Sequence, residues 1–275
     1  MTAVVGRPSR LAAVPGGNYR FRSVIRSEWT KMWSVRSTPL TLLGVAVVTI
    51  ALSIVGSAST HWSTMSASAR AAFDPTSQSM QGVIYSQLVI GVLGVLLITS
   101  EHATGTIRIS LAAAPSRGKV IAAKALVLAA AAGVVGEILS FAAFFAGQAL
   151  LRSPAPHATL GQPEVLRAVA GSGILLMVLG LFALGLGTII RHTAGAITAY
   201  VIVLLVVPLA VAALPQATGD AIARYLPAHM ADTMASTLGI SDHPQFSPAI
   251  SVLLLAGYTA VALGVGAALL RHRDV

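Results

Sequence analysis

Six stretches of this chain are apolar for close to the ~20 residues that a helix needs to cross a bilayer, and no other feature constrains the fold as much. They run from about residue 39 to 57, 82 to 99, 120 to 150, 168 to 190, 194 to 214 and 248 to 270. Lipid offers no hydrogen bonds, so a spanning segment must satisfy its own backbone, and a helix does this residue by residue. The expected fold class is an all-α integral membrane protein with six transmembrane helices. Composition agrees: 55% of the residues are hydrophobic and 10% are charged, against about 25% charged in an ordinary soluble domain. Thr38-Pro39 and Ser247-Pro248 are suited to open the first and last spans, each a polar N-cap followed by proline at the first helical position. Pro208 lies inside the fifth span. No Gly-rich or charged linker divides the chain, which predicts a single domain over residues 19–275 after a flexible N-terminal segment, 1–18. The first 38 residues hold no apolar core of the signal-peptide kind.

A net charge of +9 invites a nucleic-acid reading, but the cations sit between the apolar runs and form no basic face. They fix the orientation instead, because Lys and Arg concentrate in cytoplasmic loops. With the N-terminus inside, only Arg70, Arg152, Arg167 and Arg224 of the 18 Lys and Arg residues fall outside. Six spans then return the C-terminus to the cytoplasm, and the expected location is the cytoplasmic membrane. The chain has no cysteine, which removes disulfides, thiolate metal sites and a Cys nucleophile.

Residues 19–36 are too polar to span. At about 100° per residue, Phe21, Val24, Ile25, Trp29, Met32, Trp33 and Val35 share one side, and Arg22, Arg26, Thr30 and Lys31 share the other. This predicts an amphipathic helix on the cytoplasmic membrane surface, with tryptophans at the interface and cations toward anionic lipid. Glu28 projects from the middle of the apolar side. Either it meets a cation or donor from another element, with Arg108, Arg117 and Lys119 the nearest candidates, or the helix is rotated and Glu28 is solvated.

A second informative stretch, Glu101 to Lys119, reads EHATGTIRISLAAAPSRGK and follows the second span. Gly105 allows a sharp change of direction, Thr106 to Ala114 suit a short helix, Pro115 ends it, and Ser116 is placed to cap the next helix. Such a helix between two spans can receive force from a cytoplasmic partner; a structured loop fits the same residues.

Three strings carry a family resemblance: RSEWTKMWSVRSTP (26–39), TSEHATGTIRISLAAAPSRGKVIAAKALV (99–127) and ARYLPAHMADTM (223–234). The first resembles the N-terminus of actinobacterial ABC-2 type permeases, the second their second span, cytoplasmic turn and third-span entry, and the third the segment before the last span. The resemblance implies an elbow helix over 19–36 and a coupling helix over 105–114 that docks on a nucleotide-binding subunit. Glu101 and Gly105-Thr106 match the family's Glu…Gly-Thr turn and are expected to serve that coupling. The residues themselves add Glu28, with the neighbouring Arg108 and Arg117, to the expected coupling set. The resemblance implies that short outer helices between Pro215 and Ser247 close the exit. It also implies a transporter of two permeases, identical or paralogous, and two ATPases. The chain itself offers no phosphate-cradling loop, since Gly118-Lys119 is followed by Val120 and lacks the earlier glycine. ATP and Mg are therefore expected in a separate subunit, with no cofactor, metal or catalytic residue in this chain.

Two polar residues fall within spans. Glu137 either faces a cavity or substrate, or makes a hydrogen bond inside the bundle; Gln87 is a weaker candidate for the substrate path. The small residues Ala256, Ala260, Gly264 and Ala268 form a stripe on the last span, and Ala129 and Gly133 a shorter one on the third. Ordinary helix packing and a dimer face both fit. The expected function is a permease subunit of an ABC exporter with an unidentified substrate. The alternative is a stand-alone proton-coupled transporter using Glu137, which would need neither cytoplasmic amphipathic element. A membrane enzyme would need a nucleophile, base and metal set that the sequence does not provide.

Overall fold

The computed structural model describes residues 21–107, 117–237 and 246–272, and the regular structure there is entirely helical. Chain order gives α1 (Phe21–Ser34), α2 (Ser37–Ala58), α3 (Ala67–Ala71), α4 (Pro75–Ser79), α5 (Gln81–Ala103), α6 (Arg117–Leu150) and α7 (Pro163–Ile190). Then come α8 (Thr193–Ala212), α9 (Gln216–Ala223), α10 (Pro227–Ala235) and α11 (Pro248–His272). Six of these, α2, α5, α6, α7, α8 and α11, are long and apolar enough to cross a membrane, with mean hydropathies from 2.1 to 2.5. They coincide with the six apolar runs of the sequence.

The spans are not equivalent. In α5 and α7, 61% of the most apolar window is buried inside the chain, against 22% in α8 and α11. The reason is placement. α7 packs on α5, α6 and α11, α5 packs on α2 and α7, and α8 and α11 lie at the margin. Glycine sets the closest approach: a side chain at Gly94 of α5 would collide with the Gly180 carbonyl of α7. Leu42, Val83, Leu128, Leu139, Phe144 and Leu176 form one apolar core among α2, α5, α6 and α7. Leu179, Tyr200, Leu204, Met230, Met234 and Leu255 form a second one among α7, α8, α10 and α11.

Several boundaries differ from expectation. Thr38 does not cap the first span. α2 begins at Ser37, directly after the two-residue corner that ends α1, and Thr38 is buried within it. α5 continues to Ala103, so Glu101 and His102 sit on its last helical turn. α7 starts at Pro163, five residues earlier than its apolar run, because Glu164 and Arg167 extend past the hydrocarbon-like stretch. α8 is not a regular helix: Ile202–Val206 is a π-turn, which composition alone does not reveal. Ser116, proposed as a cap for the third span, lies outside the described residues.

The end of the bundle away from α1 is closed by hydrogen bonds from single polar and charged side chains. Asp74 caps α4 by accepting from the Thr76 N–H at 2.8 Å, and it also accepts from the N–H and hydroxyl of Thr237 at 2.7 and 2.8 Å. Gln148 donates to Pro75 O and Ser79 Oγ and accepts from the Ala158 N–H. Arg167 donates to Ser236 O at 2.9 Å.

Candidate functional site

The sequence from Phe21 to Ser34 has no Gly or Pro and places Ile25, Glu28, Lys31 and Met32 on neighbouring turns, so one face of α1 can meet the bundle. Met32 packs with Val127 and Ala131 of α6, and Ile25 borders the same cluster. The expected apolar face is thereby divided. Trp29 and Trp33 point away from the protein, both exposed, with ring centroids 5.9 Å apart. Their exposure suits a helix lying at a membrane surface.

Glu28 is the polar residue on the inward face, and it is 2% exposed. A solvated Glu28 on a rotated helix is therefore excluded. Its Oε2 accepts from Lys124 Nζ at 2.6 Å and its Oε1 from Lys31 Nζ at 2.7 Å. Lys124, on the second turn of α6, is itself 2% exposed and donates a further bond to Glu101 Oε1 at 2.7 Å. Lys31 lies 3.6 Å from the same Glu101 oxygen. Two carboxylates and two ammonium groups thus close a neutral cluster that joins α1, the last turn of α5 and the first turns of α6.

The cation that meets Glu28 differs from the expected ones. Lys119 is exposed and takes no part, and Arg108 and the side chain of Arg117 lie outside the described residues. Lys124 serves because it sits just inside the third apolar run, where an ammonium group needs a carboxylate. That need was the available signal. The four ion pairs between described residues all belong to this cluster. Burial lowers the proton affinity of the Lys31 ammonium, but its hydrogen bond to Glu28 and the nearby Glu101 carboxylate outweigh it. Its pKa is raised above the ordinary lysine value. Glu101 Oε2 and His102 Nε2, both buried on the last turn of α5, have no hydrogen-bond partner among the described residues.

The chain leaves this cluster through Gly105, whose φ of +69° is the left-handed conformation that favours glycine. Thr104 Oγ1 and Thr106 Oγ1 face each other across it at 2.9 Å, and Ile107 is buried. Of the expected coupling helix at 105–114, residues 108–114 lie outside the described residues. A crevice opens beside the cluster between α1, the start of α2 and α5, lined by Lys31, Val35, Ser37, Leu96, Leu97 and Glu101 among others.

The two substrate-path candidates face different neighbours. Glu137 of α6 is half-buried on the seam with α7, and a Cβ at Gly173 would stand 2.5 Å from its carboxyl carbon. Gln87 of α5 is buried toward α8: its backbone carbonyl accepts from the Tyr200 hydroxyl at 2.8 Å, and its Oε1 has no partner among the described residues. The stripe of Ala256, Ala260, Gly264 and Ala268 is exposed, so packing within the chain does not account for it. The shorter stripe does pack internally, with Gly133 against Met177.

A helical, polytopic membrane protein is thus defined, with a buried charge cluster tying an amphipathic helix to the paired ends of two spans. The family model described as ABC-2 family transporter protein matches residues 23–275, and the chain belongs to that family. It is a membrane permease of an ABC-type transporter, a family whose members associate with an ABC ATP-binding subunit. A comparison with curated proteins found no match.

Proposed function

We propose that the chain is the membrane half of an exporter in the cytoplasmic membrane, driven by ATP hydrolysis in a separate nucleotide-binding subunit. The observation that carries this reading is the Glu28–Lys124–Glu101 cluster. It lies where α5 and α6 meet the segment that joins them, and it also grips α1. A push on the connecting segment therefore reaches both spans and the amphipathic helix together. Removing one partner of a buried ion pair costs about 3–5 kcal/mol, so at ordinary loads the three helices move as one body. Glu28, Glu101, Gly105, Thr106, Arg108 and Arg117 are the residues assigned to coupling. Glu28 and Glu101 hold the cluster, Gly105 turns the chain out of it, Arg108 belongs to the docking segment and Arg117 follows it. Two copies, or a copy and a paralogue, pair to enclose the substrate path, with the bare stripe of α11 and the exposed face of α8 available for that contact or for lipid. α1 rests on the membrane surface through Trp29 and Trp33.

Gly105→Pro tests the coupling. Proline fixes φ near −65° and cannot adopt +69°. In proteoliposomes holding the permease with its ATP-binding subunit, the variant should insert normally, yet permease-dependent stimulation of ATP hydrolysis should be lost. Wild-type stimulation by a correctly inserted variant would refute the role. A reporter active only outside the cell should work when fused after Asp74 or Asp232 and fail after Ser116 or at the C-terminus. The reverse pattern would overturn the orientation.

A further inference from the structure

α8 is two helices joined by a soft turn. Its first half is fixed to the bundle. Thr193 Oγ1 donates to Thr99 Oγ1 of α5 at 2.9 Å, and Ala196 is fully buried. Tyr200, 1% exposed, donates its hydroxyl to Gln87 O at 2.8 Å. Its ring occupies the space that a side chain at Gly91 would need. Directly after this anchor the helix changes type. Over Ile202–Val206 it is a π-turn, and the Val207 N–H reaches back five residues to Ile202 O. Pro208 follows and offers no N–H to the ladder. A wide turn with a proline at its exit is the usual cause of a helix bend.

Beyond the turn the packing falls away. From Val207 to Ala212 only Val211 is buried, and Leu209 is 73% exposed. The chain then folds back on itself: Gly219 of α9 lies against the Val211 carbonyl, so α9 rests on the second half of α8. α9 is mostly exposed as well. The next fixed point is the corner at Arg224–Leu226. Tyr258 donates to Tyr225 O at 3.2 Å, and the Arg224 guanidinium lies over the rings of Tyr225 and Phe246 at 5.0 and 5.7 Å. α10 follows, with Met230 and Met234 buried in the second core.

We infer that residues 207–223 form a rigid hairpin flap, hinged at the 202–206 π-turn and at the 224–226 corner, that swings while the first half of α8 and α10 stay in place. Among the described residues the flap has few side chains to pull out of the core, Val211 and Ala223 being its buried ones, and its near hinge already departs from the α ladder. The inference requires neither ATP nor a direction of transport, and it stands or falls apart from the coupling role.

The chain has no native cysteine, so spin labels can be placed in pairs without background. One pair, Leu209→Cys with Leu166→Cys, reports the flap against α7. A second, Thr198→Cys with Leu126→Cys, reports the anchored half against α6. In the full chain in lipid nanodiscs, distances across the flap pair should be broad or two-peaked and those across the anchored pair single and narrow. Deleting Leu205 takes the extra residue out of the wide turn and returns it to the α repeat. The flap distribution should then narrow to that of the anchored pair. A flap pair as narrow as the anchored pair in the unaltered turn, or one still broad after the deletion, overturns the inference. If the deletion variant does not reach the membrane, Pro208→Ala replaces it. Narrowing on return of the missing N–H supports the hinge, and an unchanged width overturns it.

Discussion

The two ends of this bundle are held together by different chemistry. At the α1 end, full charges close the contact, with Lys124 buried between Glu28 and Glu101. At the other end, Asp74 gathers the N–H groups and hydroxyl of Thr76 and Thr237, and Gln148 links three more polar groups. Neutral and singly charged hydrogen bonds each contribute roughly 1–2 kcal/mol, and they break and re-form one at a time. In the charge cluster, parting Lys124 from Glu28 or Glu101 strands an ion in a poor solvent, while Lys31, partly exposed, adds a fourth charge at the rim. The α1 end is therefore suited to transmit displacement, and the far end to open and close.

The sharpest way to break this contrast is Lys124→Met. It leaves two buried carboxylates without their shared cation, and we expect a loss of about 3–5 kcal/mol, read as a large fall in the thermal midpoint of the purified protein in detergent. Adding Glu28→Gln and Glu101→Gln to the same chain should recover most of it. If the single variant melts like the parent, the cluster does not hold α1. At the far end Asp74→Ala removes a helix cap and two bonds to Thr237, with an expected cost of about 1–2 kcal/mol. Hydrogen exchange should rise around residues 74–79 and at 236–237, and stay unchanged around Lys124. Increased exchange at the α1 end would show that the two ends are not independent.

The smallest effect concerns Asp232 on α10. Burial raises its carboxyl pKa, and His229 three residues earlier pulls part of the way back. A carboxyl group with a raised folded pKa favours folding most when protonated. Its contribution is present below the ordinary aspartate value and is lost as pH rises through the folded one. The thermal midpoint should therefore decline somewhat as pH rises above ~4, the ordinary range for aspartate. Asp232→Asn should flatten that slope, by less than about 1 kcal/mol overall. An unaltered slope in the variant would place the titration elsewhere.

The spans were legible in the sequence because length and apolarity are local properties, and all six appear where the apolar runs lie. The oddity of Glu28 was legible too, since helical period alone puts a carboxylate on the apolar side of residues 19–36. Its partner was not found. Lys124 is 96 residues away, and which face of α6 meets α1 is decided by helix packing rather than by spacing along the chain. Lys119 is nearer the membrane surface and looked as suitable, yet it faces away. Thr38 failed as a cap because the corner after α1 leaves only two residues before α2 starts. The π-turn was invisible, since Ile202 to Val206 is as apolar as a regular helix would be, and only Pro208 hinted at it.

The position of Lys124 also bears on how the protein is made. A lysine near the start of a span is costly to leave in lipid until it is neutralised. Both carboxylates that neutralise it lie earlier in the chain, on α1 and at the end of α5. When ribosomes deliver α6 to the membrane, its counter-charges have already been synthesised and are waiting at the same surface. Synthesis from N- to C-terminus therefore brings the costly residue last, into a site that earlier segments have prepared.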